Sequence, residues 1–123
     1  MNSSELVIAW YETRDPALFA DTVSFSICES FPCAGVYQGP KDVYENFFAK
    51  LMPMFCEFRV ERDLILEEKN KVVVIGRYMG RVKAENEEFA VPFTHVWTLD
   101  GGLVTSVKQH AETGLLDRAF AAA

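Results

Sequence analysis

One stretch limits what this chain can become. Phe89 to Glu112, FAVPFTHVWTLDGGLVTSVKQHAE, alternates side-chain character on both sides of Asp100-Gly101-Gly102. Glycine accepts the positive φ of a tight hairpin, so the stretch predicts two strands folded back on each other. Residues two apart share a face of a strand. One face of the first arm therefore carries Phe93, His95, Trp97 and Leu99, and the other Thr94, Val96 and Thr98. In the second arm Val107, Gln109 and Ala111 share a face, opposed to Lys108, His110 and Glu112. A histidine and a glutamine thus stand among large apolar groups, on a face that must be covered.

The covering elements come earlier in the chain. Asn2 and Glu5 have capping-box spacing, and the pairs Leu6/Trp10 and Val7/Tyr11 repeat at i, i+4, which predicts a helix from Ser3 to Thr13. Asp15-Pro16 opens a short second helix, Ala17 to Ala20. Thr22 to Cys28 alternates as a half-buried strand, and Gly35 to Tyr37 reads as a short one. Gly39-Pro40 starts a helix from Lys41 to Met52, with Val43, Phe47 and Leu51 on one stripe, and Pro53 ends it. The period then changes to two. Glu57 to Leu66 and Lys71 to Lys83 read as strands, with turns at Glu67 to Asn70 and Ala84 to Asn86. Thr113 to Phe120 reads as a short closing helix.

Helices first and an antiparallel run afterwards define an α+β domain. Long strands twist, so the sheet curves, and helices closing its concave side imperfectly leave a cone-shaped cavity suited to a small ligand. A length of 123 residues fits a single domain over residues 1–123. Half the residues are hydrophobic, with 10 Phe, 4 Tyr and 2 Trp, enough to fill a core and line a cavity. The net charge of −6 argues against a nucleic-acid partner. Cys28, Cys33 and Cys56 are an odd number without metal spacing and read as reduced thiols of a cytoplasmic protein. No metal cluster, phosphate loop or cofactor motif stands out. No apolar run approaches the ~20 residues of a membrane span.

Several motifs point to a family. Val36-Tyr37-Gln38-Gly39 ahead of a helix, Pro92-Phe93-Thr94-His95-Val96-Trp97, Asp100-Gly101-Gly102 and Lys108-Gln109-His110-Ala111-Glu112-Thr113 together resemble a SnoaL-like domain. That family lies in the nuclear transport factor 2-like superfamily, with ketosteroid isomerase, limonene epoxide hydrolase and polyketide cyclases. The resemblance covers nearly the whole chain. It implies a cystatin-like cone, with N-terminal helices packed on a strongly curved antiparallel sheet. It also implies where chemistry would sit. The oxyanion-binding aspartate of ketosteroid isomerase is similar in position to His95, and its catalytic tyrosine to Val7, with Tyr11 one turn on. Its general base falls within Ile27 to Ser30, where Glu29 and Cys28 can carry a proton. The last-strand aspartate of the epoxide hydrolases is similar in position to Gln109, which cannot act as a base. SnoaL-like domains often carry an aspartate where Glu112 stands.

Each candidate has two readings. His95 is a hydrogen-bonding or acid–base group in an apolar cavity, or a core histidine satisfied by a neighbour. Gln109 orients a ligand or bonds His95 across the hairpin. Glu112 carries a proton or favours the start of the closing helix. Glu29, next to the cavity mouth, is a proton carrier or a solvated carboxylate. Trp10, Tyr11, Phe31, Phe47, Phe55, Phe93 and Trp97 line the pocket or fill the core. Arg77 and Arg81 hold an acidic ligand or pair with Glu61 or Asp63. The expected partner is a small apolar organic molecule. The expected activity is that of a cofactor-free isomerase, cyclase or hydratase using His95 with Glu29 or Glu112; the alternative is a non-catalytic ligand-binding or protein-interaction domain. The outer sheet face, with Thr94, Val96, Thr98 and Ile65, predicts a homodimer. Burial of His95 predicts a lowered pKa and an affinity that falls on acidification.

Overall fold

The structure, a computed structural model, describes residues 2–83 and 87–112. The expected closing helix at Thr113 to Phe120 and the turn at Ala84 to Asn86 lie outside the described residues. Helix α1 (Ser3–Thr13) starts as its cap predicts: the Asn2 side chain accepts from the Glu5 N–H at 2.9 Å, and the Glu5 carboxylate accepts from the Asn2 N–H. It ends at Arg14, which turns left-handed (φ 56°) and donates its N–H to the Trp10 carbonyl. The second helix shrinks to one 3-10 turn, Pro16–Leu18, because Phe19 already begins strand β1 (Phe19–Ile27).

Strand β2 (Gly35–Gln38) leads into a compound helix, α2 (39–51). It is α-helical over Gly39–Asp42, widens to π-helical over Val43–Phe48 and returns to α over Ala49–Leu51. A 3-10 turn at Met52–Met54, containing Pro53, ends it. The wide segment holds Tyr44, Phe47 and Phe48, a setting often found beside functional sites. Strands β3 (Phe55–Glu68), β4 (Lys71–Val82), β5 (Glu87–Asp100) and β6 (Leu103–Ala111) follow.

The sheet order is β2-β1-β6-β5-β4-β3. Strands β3 to β6 form the expected antiparallel run, whereas β1 lies parallel to β6, with Phe25 opposite Val107 and Ile27 opposite Gln109. The two strands are far apart in sequence, so no hairpin forces them antiparallel. The rest of the sheet is antiparallel, and His95 faces Gln109 across the β5–β6 hairpin.

A bulge in β3 changes which side chains face inward. Arg62 pairs with Gly76 and Leu64 with Ile75, leaving Asp63 as the extra residue. Before the bulge Phe58, Val60 and Arg62 share the face of Tyr78; after it Ile65 shares the face of Val74. This corrects the placing of Ile65 on the outer face, where Leu64 and Leu66 stand instead. Gly76 and Gly80 let β3 coil tightly over β4: a Cβ on either would come within 2.0 Å of the carbonyl oxygen of Glu61 or Glu57.

The core lies between the helices and the inner sheet face, around Trp10, Phe19, Val74, Phe93 and Trp97. The outer face carries ion pairs from Arg59, Arg77 and Arg81 to Glu57, Glu61, Asp63 and Glu88. Among the described residues, no helix is long and apolar enough to cross a membrane.

Candidate functional site

A cavity of about 320 Å³ opens between α1, α2 and the inner face of the sheet. Its walls are largely aromatic: Trp10 and Tyr11 from α1, Tyr44, Phe47 and Phe48 from the wide part of α2, and Phe31 from the loop after β1. These positions follow from local sequence. The i, i+4 spacing along α1 turns Val7 and Tyr11 to one side, and Pro40 starts α2 so that its aromatic stripe closes the opposite wall.

His95 and Gln109 stand in the wall formed by the sheet, 7% and 4% exposed among apolar neighbours. They belong to one connected cluster. His95 Nδ1 lies 2.6 Å from the Tyr11 hydroxyl and Nε2 lies 2.5 Å from the Tyr78 hydroxyl. Trp97 Nε1–H donates to the Tyr11 oxygen at 3.1 Å, and Gln109 Nε2–H donates to the Tyr78 oxygen at 3.1 Å. The Gln109 carbonyl oxygen accepts from the Cys28 N–H at 3.2 Å. Phe93 stacks on the imidazole at 4.0 Å between ring centres.

Burial fixes the protonation of this cluster. It pulls the His95 pKa from 6.5 down to about 3, and the positive charge of Arg14 acts in the same direction. The ring is therefore neutral at pH 7, with one N–H and one bare nitrogen. Burial also raises both tyrosines above their ordinary range, so both keep their protons.

A proton count follows. If Nδ1 carries the hydrogen, His95 donates to Tyr11 and accepts from Tyr78. The Tyr11 oxygen then accepts from both Trp97 and His95, and its own O–H is uncommitted. If Nε2 carries it, the roles exchange, and Tyr78 holds the uncommitted O–H. Either tautomer leaves one hydroxyl donor beyond the bonds of the cluster. A donor backed by two others is arranged to meet a carbonyl or enolate oxygen.

The candidates read from sequence are distributed unevenly. His95, Gln109, Trp10, Tyr11, Phe31, Phe47 and Trp97 all line the cavity. Phe55 and Phe93 are buried without lining it; Phe55 packs on Phe58 and Phe89. Glu29 is exposed in the loop after β1, and Glu112 is exposed with its N–H bonded to the Pro92 carbonyl. Neither carboxylate lines the cavity. Arg77 makes a two-pronged bond to Asp63 at 2.9 and 3.0 Å on the outer face, away from the pocket.

Sequence reading missed Tyr78 and Arg14. Tyr78 was accessible, since it falls in step with Val72, Val74 and Val82 on the buried face of β4. Arg14 had no such signal: the left-handed turn that ends α1 sets its place beside the cavity.

A SnoaL-like domain profile matches residues 6–107, and the chain belongs to that family. No curated protein matches. Solved structures share the fold over almost the full length. A nuclear transport factor 2-like protein from Burkholderia thailandensis is 25% identical, with a TM-score of 0.89 and 98% of each chain covered. TerC, co-crystallised with polyporic acid, is 19% identical, with a TM-score of 0.85 and coverage of 97% of this chain and 98% of its own. A protein from Jannaschia described as a SnoaL-like polyketide cyclase is 17% identical, with a TM-score of 0.82 and coverage of 98% and 92%.

Proposed function

We propose that the cavity binds a planar, largely apolar organic molecule and polarises its carbonyl or phenol oxygen, as a cofactor-free isomerase, cyclase or hydratase does. The observation that carries this reading is the uncommitted hydroxyl in the Tyr11–His95–Tyr78 cluster. His95 serves as a relay between two tyrosines: a proton given by one hydroxyl can be replaced from the other through a change of imidazole tautomer, which leaves the negative charge on the second tyrosine until the proton returns. A like-folded protein co-crystallised with polyporic acid and another described as a polyketide cyclase are in keeping with a small organic ligand.

A second reading has its own support. No carboxylate among the described residues lines the cavity, so the base for C–H abstraction is not evident there. A site that holds its ligand without turning it over fits that observation.

Calorimetry with 2-naphthol, a neutral phenol of suitable shape, tests the shared claim. Removal of the hydroxyl in Tyr11→Phe or Tyr78→Phe should weaken binding roughly tenfold. Undiminished affinity in both variants would sink the hydrogen-bonding role. NMR exchange of the α-hydrogens of 2-tetralone separates the readings: acceleration by the protein supports proton transfer, and binding without acceleration supports the passive pocket.

We also propose that a second copy of the chain covers the outer sheet face. Leu64, Leu66 and Ile75 are exposed there, beside Val73, Thr94 and Val96. Light scattering reads the assembly directly.

A further inference from the structure

The arginines among the described residues divide into two groups. Arg59, Arg77 and Arg81 face away from the cavity and are all ion-paired with carboxylates. Arg14 and Arg62 have no salt bridge among the described residues, and both stand against the same aromatic wall. The Arg14 guanidinium lies 4.5 Å from the Trp10 ring centre and 5.7 Å from that of Tyr11. The Arg62 guanidinium lies 5.3 Å from the Tyr11 ring centre. They arrive from different elements, Arg14 from the end of α1 and Arg62 from β3, just before the bulge that turns the following residues over.

The arrangement is unusual for an acidic chain. With 18 carboxylates for 12 Lys and Arg, partners for a surface arginine are plentiful. Two guanidinium groups placed together without one repel each other. The aromatic faces hold both cations in position but leave their N–H groups free of any carboxylate. Such a pair is preorganised for an anion, and a guanidinium fork suits a carboxylate in particular.

We infer that the ligand is an organic anion: an aromatic or polycyclic carboxylate whose acid group meets Arg14, which lines the cavity, and Arg62, which stands over the Tyr11 ring, while a hydroxyl or carbonyl at its other end reaches the tyrosine–histidine cluster. This rests on the reading of the cavity given above and adds its charge. The protein's overall negative charge disfavours anions at a distance, so the preference is local and comes from these two side chains.

The test is calorimetry with 6-hydroxy-2-naphthoate and its methyl ester, which share shape and phenol and differ in charge. The acid should bind the wild-type protein about tenfold more tightly than the ester, a preference that weakens in high salt. Arg14→Gln with Arg62→Gln should erase the preference, so that acid and ester bind this variant equally. Arg14→Lys with Arg62→Lys should retain part of it, which separates charge from damage to the fold. Equal binding of acid and ester to the wild type overturns the inference and leaves the phenol-binding pocket standing. A preference that survives the double glutamine variant also overturns it. Failure of both probes to bind overturns the inference together with the reading it rests on.

Discussion

The two faces of the sheet are built by the same strands and treat polar groups in opposite ways. Against the inner face the polar side chains of the cavity wall are few, neutral and buried, and each is tied to the next, Tyr11 from α1 with His95, Tyr78 and Gln109 from the sheet; Arg62, exposed at its margin, is the charged exception. On the outer face they are many, charged and exposed, and they pair across neighbouring strands. The difference follows from solvent. A buried polar atom without a partner costs the full loss of its water contacts, so the inner cluster must be complete. Among the described residues no buried side-chain nitrogen or oxygen lacks a hydrogen bond. The outer pairs compete with water at every moment and contribute little to stability. A histidine on the inner face is thus a neutral hydrogen-bonding device, whereas the same residue on the outer face, His110, is merely solvated.

The largest expected effect comes from joining the two faces by force. A Cβ at Gly76 would meet the Glu61 carbonyl oxygen at 2.0 Å and the Phe93 ring at 2.9 Å. The first contact belongs to the β3 backbone, which cannot rotate away. The second belongs to the ring stacked on His95. Gly76→Ala should therefore cost about 3 kcal/mol of stability, measured by urea denaturation, and loosen the cavity as well. A loss no larger than that of an ordinary surface alanine would mean that the coil of β3 over β4 is easily relaxed.

Acid sharpens the comparison. The unfolded His95 takes up a proton below about pH 6.5, whereas the folded ring resists until about pH 3. The neutral ring's contribution is fully present above the unfolded value and is lost progressively as the pH falls. Between these limits unfolding takes up a proton at this ring, so stability should drop steadily as the pH falls. His95→Asn keeps a hydrogen-bonding side chain but removes the titration, so its slope near pH 5 should be flatter than the wild type's. Parallel slopes would show that the ring is not held neutral. The same shift moves the expected acid loss of ligand affinity well below pH 5, and binding should be level from there to neutrality.

Much of this architecture was legible in the sequence, for reasons visible in particular residues. The capping box at Asn2, the Asp100-Gly101-Gly102 turn and the alternation through His95 are local signals, and the elements follow them. So does the neighbourhood of His95 and Gln109, since hairpin pairing sets that register. Ile65 shows where local reading fails. The alternation of β3 is interrupted by one extra residue, Asp63, and a single bulge reverses every later side chain. The bulge falls beside Gly76 on the adjacent strand, a tertiary setting with no mark in β3 itself. Tyr11 was placed one turn from the family's tyrosine position, but its bond to His95 depends on how α1 crosses the sheet. The positions of Arg14 and Arg62 against the Tyr11 ring were equally hidden, because they depend on how α1 ends and where β3 bulges.

The smallest effect on the folded chain is expected on the outer face, where it separates charge from apolar contact. Leu66 is 53% exposed and pairs with Val73, which pairs in turn with Val96. Val73 and Val96 are half-buried, but Leu66 itself is exposed, so Leu66→Asp should leave the monomer's fold intact. It should nonetheless split a dimer, because two copies meeting through the patch would bring unpaired carboxylates into a drying interface. Arg77→Ala removes the ion pair with Asp63 further along β4 and leaves the apolar row in place, so it should change neither melting temperature nor assembly. Light scattering of the wild type and both variants at micromolar concentration decides the matter. A monomeric wild type, or a Leu66→Asp variant still dimeric, would remove the patch as the joining surface. A dimer lost in Arg77→Ala would show that the charged ladder carries the contact.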